Sequence, residues 1–395
     1  MTSLPTIGVL GAGAMGAGIA QVAASAGHPV TVVDARAAAV ERARASLEQS
    51  LARDVAKGRR DQGAADALLR RISWSAADAD TPDLSPFAGC ALVIEAIVER
   101  LAVKQTSFEA IEQVVGPDCV LATNTSSLSV TAIAAACQRP DRLLGVHFFN
   151  PAPLMPLVEI VPALQTAVEI TADVQVLVNS WGKTTVVAKD TPGFIVNRVA
   201  RPFYGEALRM LEEGFADAPT IDWAMRELAG FRMGPFELMD LIGHDVNYTV
   251  TSTVWEALYY DPRYRPAITQ RRLVEAGFLG RKSGRGFYGY GDDAPRPEPS
   301  RDERRGREIV DRILAMLINE ALDAVHLNIA TPQDVELAMT KGVNYPKGLL
   351  AWGQELGFAR VLDRIEALQR EYAEDRYRPS PLLRRAAATG ERLVS

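Results

Sequence analysis

His147 is the side chain whose position best suits acid–base chemistry. It follows the apolar run Leu143–Val146, which predicts a buried parallel strand, and the carboxyl ends of such strands are where open α/β sheets bind ligands. An acid, Glu159, lies in the next apolar run. A single histidine is most often a structural residue, but imidazole changes its charge near neutral pH. The pattern therefore indicates a general base at His147 with Glu159 beside it.

Glycines at fixed spacing lie near the start of the chain. The residues that match G-x-G-x-x-G are Gly11, Ala12, Gly13, Ala14, Met15 and Gly16. They follow a short apolar run and open an alanine-rich helical segment, and Asp34 ends the next β-branched run. Glycines let the backbone approach a pyrophosphate, and the helix N-terminus stabilises its charge. The pattern predicts a dinucleotide site.

Asp34 favours NAD over NADP as the dinucleotide. A carboxylate at this position can accept hydrogen bonds from both hydroxyls of the adenosine ribose, and it would repel a 2′-phosphate. Arg36 keeps the alternative open, because a nearby arginine can accommodate that phosphate.

Three more polar segments could line the same edge, although each also has a simpler interpretation. Asn124–Ser127 follows a predicted strand, but it could merely cap the next helix. Glu95 and Glu99 surround the end of another strand with Lys104 nearby, a set that could be a surface ion pair of little energetic value. The segment 280–288, which carries Lys282, could be a flexible basic loop.

The elements that position these residues alternate between strand and helix. Over residues 1–188 this alternation predicts an α/β fold, a Rossmann-type doubly wound parallel sheet. Residues 37–70 read as a helical hairpin arm, interrupted near Gly58 and Gly63. Helical patterns take over after Lys189, so a first helical domain is expected over 189–291.

An internal repeat follows. Glu206-Ala-Leu208 recurs 114 residues later as Glu320-Ala-Leu322, and the same offset relates Gly234 to Gly348 without a gap. This agreement predicts two all-α copies of one helical unit. The segment 292–304 is rich in proline and charge and reads as a linker, and the second repeat is expected over 305–390.

Composition limits the function classes. The 395-residue chain carries a net charge of −6, so general binding to nucleic acid is not expected. Its three cysteines contain no CxxC pair, which argues against a disulfide framework or a metal site. The glycines and prolines of residues 1–33 break the uncharged N-terminal stretch, so neither a signal peptide nor a membrane span is expected. We expect a cytoplasmic protein.

Taken together, these motifs resemble the 3-hydroxyacyl-CoA dehydrogenases of fatty-acid and aromatic-acid degradation. The segments that carry the resemblance are Gly11–Gly16, Glu95–Glu99, Asn124–Ser127, His147–Pro151, Lys189–Asn197, Gly234–Leu238 and Gly280–Gly284. The second repeat, with Gly342–Pro346 and Arg376–Ser380, is similar to a two-repeat subgroup that includes 3-hydroxyadipyl-CoA dehydrogenases of phenylacetate catabolism.

The resemblance implies a role for each matching residue. His147 would be the base and Glu159 the acid that orients it, while Ser126 and Asn197 would contact the 3-oxygen of the substrate. The residues implied around NAD are the glycine loop, Asp34, Glu99, Lys104, Asn150 and Lys282. Ser50 and Lys57 on the hairpin arm match positions that hold the CoA moiety.

The resemblance also implies that only the first repeat is catalytic. Asn197 corresponds to Asp311 in the second repeat, where the sequence offers no obvious partner for a carboxylate. We therefore expect a structural second repeat that packs on the first as an internal pseudo-dimer, and whole chains could associate further. The linker is short for the subgroup.

Two other functions stay open at this point. One is a related dehydrogenase that acts on a free hydroxy acid, although such a substrate needs no long arm. The other is a non-catalytic NAD-binding structural protein, which would not require His147, Glu159 and Asn197. The acyl chain length, an ω-carboxylate on the substrate and the oligomeric state are not specified by any motif.

Overall fold

An eight-stranded sheet forms the centre of the first of two units, Met1–Asp190 and Thr191–Ser395. The computed structural model describes residues 4–76, 83–291, 294 and 297–394. The strands are β1 (Ile7–Leu10), β2 (Val30–Asp34), β3 (Ile72–Ala76), β4 (Leu92–Glu95), β5 (Val120–Thr123), β6 (Leu143–Phe148), β7 (Leu157–Pro162) and β8 (Thr184–Val187).

The strand order is β3-β2-β1-β4-β5-β6-β7-β8. The order reverses between β1 and β4, which is the switch point where doubly wound sheets bind ligands. The predicted Rossmann-type fold is therefore confirmed, but the sheet is not wholly parallel, because β7 pairs antiparallel with β6. The connection between these two strands carries no helix and is too short for a parallel crossover.

Strand β3 is absent from the sequence-based prediction. It follows a helix directly, and only Ile72 of its residues is buried, so the apolar signal of a buried strand is missing. It pairs with β2 at the edge of the sheet.

Helices surround the sheet and form the arm. They are α1 (Ala14–Ser25), α2 (Ala37–Ala56), α3 (Gln62–Arg71), α4 (Leu101–Glu112), α5 (Val130–Ala134) and α6 (Val168–Ser180). In the arm, α2 and α3 are separated by Gly58, whose φ of +66° suits glycine, and Asp61 caps α3 by accepting the N–H of Ala64 at 2.8 Å.

The second unit contains two copies of one helical arrangement. The first copy comprises α7 (Val196–Val199), α8 (Arg201–Glu212), α9 (Ala218–Trp223), α10 (Pro235–Ile242), α11 (His244–Ala257) and α12 (Ile268–Glu275). The second comprises α13 (Glu303–His326), α14 (Pro332–Leu337), α15 (Leu349–Leu356), α16 (Phe358–Tyr372) and α17 (Pro381–Thr389). Helices α9 and α10 recur 114 residues later as α14 and α15 with the same lengths, which confirms the predicted repeat.

The linker ends earlier than the prediction of 292–304. Helix α13 begins at Glu303, because the Asp302 carboxylate accepts the N–H groups of Arg304 and Arg305 and so caps the helix. Residues 292, 293, 295 and 296 of the predicted linker lie outside the described residues.

Candidate active site

The glycine loop joins β1 to α1, and its three glycines meet different surroundings. A Cβ on Gly11 would lie 2.6 Å from the carbonyl oxygen of Ala96, and one on Gly16 would lie 1.9 Å from that of Gly11. A Cβ on Gly13 would meet nothing within 4 Å. Gly11 and Gly16 are thus required by packing, whereas Gly13 leaves the backbone open to a ligand. Helix α1 also has no side-chain cap, so its first N–H groups suit a pyrophosphate.

Asp34 lies at the end of β2 and is buried beside this loop. Its carboxylate accepts the N–H of Ala12 at 2.8 Å and that of Arg36 at 2.9 Å. The Arg36 guanidinium is largely exposed and its Nε lies 3.7 Å from the same carboxylate. Since each carboxylate oxygen can accept more than one hydrogen bond, Asp34 retains acceptor capacity for a ribose.

Lys104 is buried, and its ion pair with Glu95 is not a surface feature. The Lys104 ammonium lies 2.6 Å from Glu95 and 3.2 Å from Glu99, while Lys104 is 1% exposed and Glu95 is wholly buried. The alternative of a surface ion pair is therefore wrong. The lysine is at the inner face of α4, so its charge must be neutralised where it lies. Glu95 was not among the predicted site residues.

Glu99 organises the loop that carries Ser126. One of its oxygens accepts the Thr125 hydroxyl at 2.6 Å, the Ser126 N–H at 2.9 Å and the Ser127 hydroxyl at 3.1 Å. Burial acts to raise the pKa of Glu99, but the Lys104 charge and these hydrogen bonds lower it overall. Asn124 connects this loop to the end of β6, because its side-chain oxygen accepts the Phe148 N–H at 2.8 Å.

His147 and Glu159 face each other across the antiparallel pair β6/β7. The imidazole Nδ1 lies 2.7 Å from a Glu159 oxygen, and the side chains are 6% and 0% exposed. An ionised carboxylate can only accept, so Nδ1 carries the hydrogen and Nε2 is the ring nitrogen that can take up a proton. The ring also packs on Phe149 at a centroid distance of 4.6 Å. This is the geometry of a histidine base held by an acid.

A cleft of about 900 Å³ extends from the glycine loop along the arm. Gly13, Asn150, Ser50 and Lys57 all line it. The cleft is strongly basic, and its further basic residues are Arg36, Arg42, Arg53, Arg59, Arg60 and Lys183, against one acid, Asp54.

The prediction named Arg36 and Lys57 but not the other basic residues of this cleft, although the helical spacing of α2 gives a signal for part of the set. Ser46, Ser50 and Arg53 follow an i, i+4, i+7 spacing, which places them on one face of α2, and Lys57 continues the spacing at the residue that ends the helix. That face lines the cleft.

In the second unit, Asn197 lies on α7 and Lys282 in the loop that precedes Phe287. The Lys282 ammonium lies 2.6 Å from Asp245, so this lysine has an acidic partner. The loop itself is held by Asp240, whose carboxylate accepts the N–H groups of Phe287 and Tyr288 at 2.9 and 3.0 Å. The counterpart Asp311 also has a partner, because Arg360 lies 3.2 Å from it, contrary to expectation.

Comparison with known proteins identifies the family of the chain. Residues 6–191 match the family described as the 3-hydroxyacyl-CoA dehydrogenase NAD-binding domain. The C-terminal domain of the same family matches twice, over 193–290 and 309–392. The chain belongs to the 3-hydroxyacyl-CoA dehydrogenase family. It is an NAD-dependent oxidoreductase, and the reaction of this family is oxidation of the 3-hydroxyl of a 3-hydroxyacyl-CoA.

Relatives of this dehydrogenase match either almost the whole chain or about three quarters of it. A protein of Escherichia coli named 3-hydroxyadipyl-CoA dehydrogenase is 39% identical, and the alignment covers 98% of each chain. A crystal structure of a 3-hydroxybutyryl-CoA dehydrogenase from Escherichia coli has a TM-score of 0.89 and 38% identity, again over 98% of each chain. A 3-hydroxybutyryl-CoA dehydrogenase of Mycobacterium tuberculosis is 40% identical over 73% of this chain and 99% of its own.

Cys90, Cys119 and Cys137 are all unpaired and buried. Burial raises the pKa of the Cys90 thiol to about 11, and it is the main cause that raises that of Cys119 to about 12. Within the described residues, no helix has both the length and the apolar character needed to cross a bilayer.

Proposed function

We propose that His147 is the base of this dehydrogenase and that Glu159 orients it. The 2.7 Å contact between Nδ1 and the Glu159 carboxylate is the observation that carries the proposal. Because both side chains are buried, the carboxylate favours the charged imidazolium that forms when the substrate hydroxyl loses its proton. In the reverse direction the imidazolium returns the proton to the 3-oxygen. Bound NAD supplies the hydride acceptor.

Ser126 and Asn197 are proposed to contact the 3-oxygen of the substrate. A hydroxyl and an amide can donate to a ketone oxygen as negative charge develops on it. The support for Ser126 is that Glu99 fixes its backbone at 2.9 Å, so the serine is held in one place before substrate binds.

The proposed NAD site consists of the glycine loop, Asp34, Glu99, Lys104, Asn150 and Lys282. The open surroundings of Gly13 and the uncapped start of α1 support pyrophosphate binding there. We propose that Lys104, which is almost wholly buried, acts by fixing Glu99.

Ser50 and Lys57 are proposed to hold the CoA moiety. Both line the basic cleft of α2, and Lys57 is exposed, so its ammonium can reach a phosphate. The excess of arginines around it would attract the same polyanion.

The names of the relatives support a proposal for the substrate. Of the relatives that match 98% of the chain, one is named for 3-hydroxyadipyl-CoA and one for 3-hydroxybutyryl-CoA, and a relative that matches 73% of the chain is also named for 3-hydroxybutyryl-CoA. We propose a 3-hydroxyadipyl-CoA or a short 3-hydroxyacyl-CoA as the substrate. We also propose a cytoplasmic location, since three unpaired cysteines suit a reducing compartment.

The second repeat is proposed to serve as an internal partner for the first. Its support is a reciprocal pair of contacts between equivalent residues: Arg198 donates to Glu320 at 2.8 Å, and Arg312 donates to Glu206 at 2.9 Å. Glu320 is also bound by Arg263 and the Tyr264 hydroxyl, and Glu206 by Arg376 and the Tyr377 hydroxyl. Both glutamates are buried, and although burial raises the pKa of each, the arginines lower it overall.

An absorbance assay for NADH tests the proposal against its rivals. The purified chain is given NAD with 3-hydroxyadipyl-CoA, 3-hydroxybutyryl-CoA or free 3-hydroxybutyrate. We expect NADH from the CoA thioesters and none from the free acid. Turnover of the free acid alone would indicate a hydroxy-acid dehydrogenase, and turnover of none would leave a non-catalytic NAD-binding protein.

A further inference from the structure

Arg201 differs from every other buried arginine of the described residues. Six arginines are buried there, and five have a carboxylate oxygen within 3.3 Å of a guanidinium nitrogen. These five are Arg142, Arg198, Arg263, Arg312 and Arg376. Arg201 is 6% exposed, and no carboxylate of the described chain lies within ion-pair distance of it. A buried cation without an anion is unfavourable, so the fold alone does not account for this residue.

The Arg201 guanidinium retains donors for a ligand. Its Nη1 donates to the Thr251 hydroxyl at 2.9 Å, and the group lies 5.0 Å from the centroid of the Tyr204 ring. Its Nε is buried and has no hydrogen-bond partner among the described residues, and the same is true of the Tyr345 hydroxyl. Arg142, Arg263 and Arg376 also have a buried Nε without a partner there, so the missing carboxylate is what distinguishes Arg201. Burial raises the pKa of Tyr345, and the nearby charge of Arg201 acts against that shift. Such unsatisfied buried groups are what a polar group of a ligand would use.

Arg201 is the first residue of α8 and lies four residues after Asn197 of α7, and Ala200 between the two helices has helical φ and ψ values of −78° and −11°. Four residues of helical backbone advance by about 6 Å. The repeat offers an internal comparison, because the residues 114 positions later are Asp311 and Ala315. The asparagine and the arginine are thus both present in the first repeat and both replaced in the second, so Arg201 is not required by the repeat fold itself.

We propose that Arg201 binds the terminal carboxylate of a dicarboxylic 3-hydroxyacyl-CoA such as 3-hydroxyadipyl-CoA. This inference rests on the proposed function, in which Asn197 contacts the 3-oxygen. A few carbon–carbon bonds separate that oxygen from the terminal carboxylate, a reach comparable to the rise of about 6 Å over four helical residues. The carboxylate would supply the missing anion, and Tyr345 could donate a further hydrogen bond to it.

Arg201 would then determine specificity rather than chemistry. A substrate that ends in a methyl group leaves the guanidinium buried and unpaired, which penalises its binding. The matched pair of substrates is 3-hydroxyadipyl-CoA and 3-hydroxyhexanoyl-CoA, which differ only in the carboxylate or methyl at the chain end. We expect wild type to favour the adipyl substrate in kcat/KM by on the order of 10²-fold, the usual range for a buried charge pair.

The variants are Arg201→Met, Arg201→Lys and the control Arg209→Met, which removes an arginine of the same helix whose partner is Glu374. Arg201→Met should abolish the preference by lowering kcat/KM for the adipyl substrate, and Arg201→Lys should retain part of it. Arg209→Met should keep it. Because Arg201 has no anion to lose, thermal unfolding of Arg201→Met should occur at or above the wild-type temperature.

Several results would overturn the proposal. Equal kcat/KM values for the two substrates in wild type would do so without any variant. An unchanged ratio in a folded Arg201→Met protein, or loss of turnover for both substrates to the same degree, would show that Arg201 has another role. Wild type that oxidises neither thioester would refute the proposed function itself, a result distinct from oxidation of both without preference.

Discussion

Asp222 and Glu336 perform the same task at equivalent positions of the two repeats. The Asp222 carboxylate accepts the N–H groups of Phe236 and Glu237 at 2.9 and 3.0 Å, at the start of α10. The Glu336 carboxylate accepts those of Leu350 and Ala351 at 2.8 and 3.1 Å, at the start of α15. The residue type differs, but the cap is retained. Only Asp222 also accepts the Tyr288 hydroxyl, at 2.7 Å, and so secures the loop that carries Lys282.

This difference predicts separate effects for two matched substitutions. Asp222→Ala and Glu336→Ala should each lower the free energy of unfolding by about 1–2 kcal/mol, the usual cost of a lost helix cap. Asp222→Ala should also raise the KM for NAD, because the 280–290 loop loses the hydrogen bond from the Tyr288 hydroxyl to Asp222. Glu336→Ala should leave the KM for NAD and the KM for acyl-CoA unchanged. Urea unfolding and steady-state kinetics measure the two effects. An equal change in the KM for NAD in both variants would contradict the inference that Asp222 alone of this pair holds the loop of Lys282.

Sequence patterns could predict elements with strong apolar runs or exact spacing. The repeat was predictable because its offset is constant, and His147 because it ends an apolar run. Burial of charge was not, since nothing in the spacing of Glu95 and Lys104 distinguishes an exposed pair from the buried pair observed. The antiparallel pairing of β6 and β7 was also missed, because an apolar run does not record its direction.

The His147–Glu159 pair predicts a large loss of turnover when either residue changes. His147→Gln should lower kcat by roughly 10²–10⁴ while NAD binding persists, since only proton transfer is removed. Glu159→Gln should act in the same direction, because the imidazolium loses its anion. Stopped-flow absorbance gives the rate, and NADH fluorescence gives the affinity. Near-wild-type turnover of a folded His147→Gln protein would exclude His147 from the mechanism.

Asp34 predicts the cofactor preference. Asp34→Ala should raise the KM for NAD about tenfold, as expected for one or two lost hydrogen bonds, and should raise that for NADP less. The control is Arg36→Ala, which keeps the carboxylate and should leave the KM for NAD nearly unchanged, since Arg36 is largely exposed. Initial rates at varied NAD and NADP concentrations give the KM values of both variants for the two cofactors. A larger effect of Arg36→Ala on NAD would indicate that the arginine, not the aspartate, holds the ribose.

The basic cleft predicts salt-sensitive binding of acyl-CoA. Lys57→Glu should raise the KM for acyl-CoA with little change in that for NAD, and the wild-type KM for acyl-CoA should rise with ionic strength. Arg44→Glu is the matched control, because Arg44 is exposed on α2, the helix that ends at Lys57, but does not line the cleft. If Lys57→Glu and Arg44→Glu have the same KM for acyl-CoA, Lys57 is merely a solvated surface residue.

The reciprocal contacts of Glu206 and Glu320 predict how the chain behaves when its second repeat is removed. Cutting the chain after Tyr290 removes Arg312 and Arg376, so the buried Glu206 loses both of its nearest cations. The cut also exposes apolar side chains that now face Tyr345, among them Phe203 and Phe231.

An exposed apolar face of this kind associates with a second copy or with any other surface, so the 1–290 fragment should dimerise or aggregate. In the full chain, Arg312→Met should lower the free energy of unfolding by about 3–5 kcal/mol, because part of the charge on Glu206 stays buried without compensation. Light scattering coupled to gel filtration gives the mass of the fragment. A soluble, fully active monomer of residues 1–290 would show that the second repeat is not needed to cover the first.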